Sequence, residues 1–272
     1  MKSLNDIVKT NRVLKNIIFD IDGTITENGQ PISKEIESLI EVILSKGIDV
    51  ILATARPLRD TLPLLPKKHH ELPIIGCNGA MISRYSEVQS AKKIPKNIVN
   101  LVKNRLDEMK VPYIIDGLYG YAISSERSDF HDYIKNKLGS EPMVYEELEL
   151  QGITKILLLK FDLHITSELE KIIGREEIKL TMNHHKLEGF VDLVAENTNK
   201  FYAAVEMGVD LSCTAVFGND LNDIMLLKNA YLPYIVGSQL DAHVDFPHTK
   251  VKSVSAIPKI VSKLINASWG HA

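Results

Sequence analysis

Cysteine, tryptophan and long apolar runs are all scarce in this 272-residue chain, which holds two cysteines and one tryptophan. Cys77 and Cys213 each sit inside an apolar strand-like run, which argues against a disulfide framework and for buried reduced thiols. No apolar stretch approaches the length of a membrane span; ILLL at 156–159 stops at Lys160. The amino-terminal MKSLNDIVKTNRVLKN lacks the apolar core of a signal peptide, so a cytoplasmic location is expected and a membrane partner is not. Strong charge of one sign is missing too. With 32 Lys and Arg against 35 Asp and Glu the net charge is −3, which gives no basic face for nucleic acid. Internal repeats and low-complexity tracts are also absent.

What the chain does have is a series of short, unalternating apolar runs: NIIFD (16–20), DVILAT (49–54), PIIGCN (73–78), CTAVFGND (213–220) and LPYIVG (232–237). Between the first two, Ile32, Ile36, Leu39, Ile40, Ile43 and Leu44 recur at helical spacing, and Gly47 marks the stop. FYAAVEMG (201–208) is helix-like as well. Such runs alternating with amphipathic helices describe an α/β fold whose parallel sheet is covered on both faces. The middle of the chain differs. Residues 113–124, 153–161 and 178–194 read as longer strands, with helices expected near 95–110, 127–138 and 166–174. This predicts a Rossmann-like core from 1–82 and 189–272, interrupted by an α+β domain at 83–188.

In parallel-sheet folds, ligands bind beyond the carboxyl ends of the strands. Here those ends carry Asp20-Ile21-Asp22-Gly23-Thr24, Thr54-Ala55-Arg56, Asn78-Gly79-Ala80 and Gly218-Asn219-Asp220. Asp and Gly together can mean only a turn. A calcium loop is excluded, since Gly23 comes too early and no glutamate closes twelve residues. Two carboxylates about 4 Å apart at an effective dielectric near 20 repel by roughly 4 kcal/mol. Asp20 and Asp22 therefore need a counter-charge, either a metal or a shared proton. The Asn and Asp side chains of 219–223 offer further oxygen, which suits a hard cation such as magnesium. The histidine pairs at 69–70 and 184–185 are poor metal candidates, because neighbours in a strand face opposite ways.

FDIDGTI, TAR, NGA, Lys200 and GNDLND, in this order and spacing, resemble the haloacid dehalogenase (HAD) superfamily of phosphatases. The insertion between NGA and Lys200 resembles the α/β cap of its Cof-type subgroup. The resemblance implies a Mg2+-dependent phosphomonoesterase whose partner is a small phosphorylated metabolite, expected to be a sugar phosphate. Asp20 would be the nucleophile that forms an aspartyl-phosphate, and Asp22 the alternating acid and base. Thr54 and Lys200 would bind the phosphoryl group, and Arg56 and Asn78 the substrate. Asp20, Asp22 through its backbone carbonyl, Asn219 and Asp223 would make the metal site. A capped monomer or weak homo-oligomer is expected.

One position departs from the pattern. The family's fourth motif reads Gly-Asp-x-x-Asn-Asp, which puts Asn219 where an aspartate is expected. Asparagine offers an oxygen without the charge, so Asp220 is the alternative ligand. Other readings follow from the same residues: a receiver-like phospho-Asp signalling protein, a catalytically weak phosphosugar-binding relative, or a sugar-phosphate mutase. The length and the acid at Asp22 argue against the first.

Overall fold

The computed structural model describes residues 13–27, 29–139, 141–160, 162–174, 179–185 and 189–269. Most of the amino-terminal stretch read as lacking a signal core lies outside them. Thirteen strands follow in order: β1 (Asn16–Asp20), β2 (Asp49–Ala53), β3 (Ile74–Gly76), β4 (Met81–Arg84), β5 (Glu87–Ala91), β6 (Tyr113–Asp116), β7 (Tyr121–Ile123), β8 (Lys155–Leu158), β9 (Leu180–His185), β10 (Phe190–Ala195), β11 (Thr214–Gly218), β12 (Leu232–Val236) and β13 (Thr249–Val251). They form an eight-stranded sheet, β13-β12-β11-β1-β2-β3-β4-β5, and a five-stranded sheet, β7-β6-β8-β10-β9.

The large sheet is parallel from β13 to β3. Both faces of its central strands are buried, which explains the unalternating runs. Ile17, Phe19, Val50, Leu52 and Phe217 pack toward the helices Lys34–Ser45 and Ile257–Trp269, while Ile18, Ile51, Ala53 and Val216 pack with Ala203, Ala204, Leu226 and Leu227 on the other side. Helix Lys34–Ser45 starts where the Ser33 side chain accepts from the Ile36 amide. It buries Ile36, Leu39, Ile40 and Ile43, each worth about 1.5–3 kcal/mol. The register sets Asp20 beside Ala53 and Phe19 beside Phe217. Asp20, Thr54 and Asn219 therefore leave the sheet along one edge.

The small sheet is antiparallel. By alternation, one face carries Tyr113, Ile115, Ile156, Leu158, Val191 and Leu193, which pack in one cluster with residues of the helices Lys96–Glu108 and Leu163–Ile173. The other face presents Ile114, Asp116, Lys155, Leu157, Phe190 and Asp192 toward the core domain. Two of the expected long strands are hairpins: 113–124 splits into β6 and β7, and 178–194 into β9 and β10. Sheet membership also moves the expected boundaries. β4 and β5 continue the large sheet to Ala91, and β10 keeps the small sheet to Ala195, so we place the inserted domain at 92–195 rather than 83–188.

Polar ties join the two domains. Arg59 donates to Asp116 Oδ1 at 2.5 Å and to the Gly120 carbonyl at 3.0 Å, Lys155 Nζ donates to the Ala55 carbonyl at 3.1 Å, and Asn78 Nδ2 donates to Asp192 Oδ2 at 2.7 Å. Among the described residues no helix is long and apolar enough to cross a membrane. Replacing Arg59 by Met strips the buried Asp116 of its shorter partner while Lys155 still faces it at 3.4 Å. A loss of about 3 kcal/mol in urea unfolding is expected; a loss within error of zero would show that the tie contributes nothing to stability.

Candidate active site

Lys200 is wholly buried at the start of the helix Lys200–Glu206, whose cap Asn199 accepts from the Tyr202 amide. Its Nζ donates to Asp20 Oδ1 at 2.6 Å, to Asp223 Oδ1 at 2.7 Å and to Asn222 Oδ1 at 3.5 Å. One ammonium thus serves two buried carboxyl groups and can neutralise only one of them. Burial, then repulsion from Asp223, pushes Asp20 up to about 8, against the pull of Lys200. Burial alone would favour the neutral amine at Lys200, but Asp20 and Asp223 hold it above the ordinary lysine range.

The Asp22 carboxylate has a different partner. Arg56 grips it with both arms of a fork, Nε to Oδ2 and Nη2 to Oδ1, each at 2.7 Å. The counter-charges expected for the acid pair are therefore separate: lysine for Asp20 and arginine for Asp22.

Residues 218–223 fold back on Asp223, whose Oδ2 accepts from the Asn219 and Asp220 amides at 2.9 and 3.1 Å. With Oδ1 bonded to Lys200 as well, both oxygens of Asp223 are engaged in holding the loop. Asp220 Oδ1 accepts from the Leu221 amide. Asn219 Oδ1 accepts from Thr24 Oγ1 at 3.1 Å and retains a second lone pair. Gly23, at φ +76°, allows the close approach, since a Cβ there would lie 2.2 Å from Asn219 Nδ2. Asp20 Oδ2 is buried without a hydrogen-bond partner. A buried carboxylate oxygen left so is costly unless a cation meets it. Asp20 Oδ2 and Asn219 Oδ1 thus suit a hard cation. No group of three or more His, Cys, Asp or Glu side chains that could hold a metal occurs among the described residues.

A cavity of about 930 Å³ opens above these groups, lined by Asp20, Asp22, Arg56, Asn219 and Asp220 below and by the small sheet above. The other sequence-predicted residues stand behind its wall. Thr54 is buried, and its Oγ1 accepts from the Arg56 amide at 3.1 Å. It does not cap the following helix, Leu58–Thr61, which starts at Pro57 without a side-chain bond. Asn78, at φ +55°, spends its side chain on Asp192 and Asn222 rather than on the cavity. Sequence reasoning missed Arg59, Asp60, Asp116, Lys155 and Asp192, all of which line the cavity. Lys155 within ITKILLL and Asp192 within GFVDLV did carry a signal: a lone charge inside an apolar strand needs a buried partner.

The family model described as haloacid dehalogenase-like hydrolase matches residues 17–244. A Mycoplasma genitalium protein named "Putative phosphatase MG265" is 26% identical over 251 residues, spanning 81% of this chain and 86% of that one. Among solved structures, the HAD subclass IIB sugar phosphatase BT4131 superposes with a TM-score of 0.73 at 20% identity, covering 91% of this chain and 98% of that one. A haloacid dehalogenase-like hydrolase from B. subtilis gives 0.75 at 18% identity, covering 92% and 99%.

The raised Asp20 has a consequence for stability without metal. Between an ordinary value near 3.8 and about 8, the folded protein holds a proton that the unfolded chain has released. This contribution is therefore fully present below the lower value and is lost as pH rises through the upper one. In chelator, Asp20→Asn is expected to flatten the decline of the unfolding midpoint across that window; an unchanged slope would assign the titration elsewhere.

Proposed function

This chain belongs to the haloacid dehalogenase-like hydrolases and is a phosphatase of that family, and we propose that it hydrolyses the monophosphate ester of a small metabolite through an aspartyl-phosphate on Asp20. The observation that carries this is the state of Asp20: buried at the cavity floor, one oxygen fixed by Lys200 at 2.6 Å and the other without a hydrogen-bond partner.

Asp20 attacks phosphorus in line, and the ester oxygen departs with a proton from Asp22. Water then attacks the aspartyl-phosphate, Asp22 takes its proton, and Asp20 and inorganic phosphate are regenerated. Asp22 cannot give or take a proton freely while Arg56 grips both its oxygens. Arg56 therefore turns from Asp22 to the incoming phosphate, which matches its fork equally well. Lys200 keeps the nucleophile aimed and offsets charge from behind. Asp20 Oδ2, the Asp22 carbonyl and Asn219 Oδ1 would hold Mg2+, which when bound screens the approach of one anion to another. Asp223 supports that loop. Cys77 and Cys213, buried and unbridged, fit the cytoplasmic location that belongs to the same proposal.

Phosphate release from a panel of sugar phosphates, nucleotides and an aryl phosphate tests the reading. Release is expected to need Mg2+ and to fall about a thousandfold or more in Asp20→Asn; activity that survives chelator or that substitution would sink it. Asn219→Ala is expected to weaken apparent Mg2+ affinity more than Asp220→Ala, and Asn219→Asp to strengthen it about tenfold by restoring a charge. A larger loss in Asp220→Ala would move the ligand to Asp220.

A further inference from the structure

The cap face over the reacting end is divided along its length. Register places Asp116 beside Lys155 and Ile114 beside Leu157, with Asp192 beside Leu157 on the other side and Phe190 two residues before it on the same face. The charged end is fastened to the core by Asn78, Ala55 and Arg59. The far end is apolar: Ile114, Leu157 and Phe190 are joined there by Phe130 and Ile134 from the helix Asp129–Leu138. The rings of Phe130 and Phe190 meet edge to face, 4.9 Å between centroids at 68°. All five side chains line the same cavity as Asp20.

Each cation lining that cavity is already matched. Arg56 pairs with Asp22, Arg59 with Asp116 and Asp60, and Lys155 with Asp116 and Asp192. Only Arg56 is partly exposed at the reacting end, at 22% of its side chain. Arg59 and Lys155 are held under carboxylates, while Lys137, whose Nζ donates to the Gly29 carbonyl and the Tyr133 hydroxyl, stands beside Arg56 at the Gly29 edge of the cavity.

Resting on the phosphatase reading above, we infer that the alcohol half of the substrate carries a flat, largely apolar ring. Hydroxyls of a hexose turned toward the five apolar side chains would lose water without gaining partners. A planar ring can instead lie on or against Phe130 and Phe190 in the offset or edge-on arrangements that aromatic faces favour. The cavity, about 930 Å³, is large enough for a monophosphate with a ring attached. Two sources supply that chemistry: a nucleoside 5′-monophosphate, and a phosphate ester on a heteroaromatic methanol.

The test is kcat/KM for one ester of each kind beside a hexose 6-phosphate and a hexose 1,6-bisphosphate, with Phe130→Ser and Phe190→Ser in parallel and melting curves for both variants. At least one ring ester is expected to exceed both hexose esters by about tenfold or more, and each substitution to narrow that ratio. The ring ester that leads identifies the source. Equilibrium binding of the same four esters to Asp20→Asn gives the order without turnover, and holds should either Phe variant fail to fold. Preference for a hexose ester in both measurements, or Phe variants that melt normally and leave the ratio unmoved, overturns the inference. Phosphate release persisting in Asp20→Asn overturns the phosphatase reading instead.

Discussion

One buried ammonium between two buried carboxylates organises the molecule's functional end. Lys200 can neutralise only one of Asp20 and Asp223, and none of the three side chains has water to fall back on. Such a trio is tolerable only if every remaining oxygen is satisfied or awaits a cation. Asp223 meets the condition with two backbone amides of its own loop. Asp20 meets it on one side only. The orphaned oxygen and the raised proton affinity of Asp20 are two expressions of the same imbalance, and the proposed roles of Asp20 as nucleophile and metal ligand would turn that imbalance to use.

The rest of the architecture holds those three residues where chain distance would scatter them. Asp20 ends the central strand of a sheet buried on both faces, so its backbone has no freedom to drift. Lys200 opens a helix that the last residues of the cap feed directly into the core. Asp223 is fixed by amides three and four residues before it. The Thr24 bond to Asn219 and the missing Cβ of Gly23 bring the first loop against the fourth. Cap and core are then tied by hydrogen bonds from Arg59, Lys155 and Asn78.

Much of this was legible in the sequence, for a physical reason. Strands buried on both faces leave unbroken apolar runs, and the polar residues that end them mark one edge of the sheet; the core strands and the candidates Asp20, Asp22, Arg56, Asn219 and Asp223 follow from that, whereas Lys200, at a helix start, was picked out by the family resemblance. Other features were hidden. The β4–β5 hairpin turns at Tyr85 and Ser86, both at positive φ (54° and 61°), without the Asn-Gly or Asp-Gly pair that announces such a turn. The domain boundary was consequently set too early. The β6–β7 hairpin did announce itself, with Asp116-Gly117 between apolar runs, but the alternation on either side reads as one strand. The charged lattice of Asp116, Lys155 and Asp192 spans three strands, and only their register brings it together. Thr54 and Asn78 were legible as polar residues at strand ends, but whether such a residue faces the cavity or braces its wall depends on side-chain partners that spacing does not reveal.

The two acids of the FDIDGT motif end with unlike partners, and the difference matches the work proposed for them. A nucleophile gains from being immobile, and Asp20 is held by a lysine that is itself buried and bonded three ways. An acid that must also serve as a base has to change protonation within each turnover, which requires access to substrate and to water. Asp22 keeps about two-fifths of its side chain exposed, and its arginine is exposed enough to leave. Were the partners exchanged, Asp22 would be locked in a buried pair, unable to protonate a leaving oxygen, and Asp20 would swing on a mobile fork. The order of the two carboxylates along the chain therefore matches the proposed division of labour: the last residue of the strand inherits the rigidity of the sheet, and the residue two places on inherits the freedom of the loop.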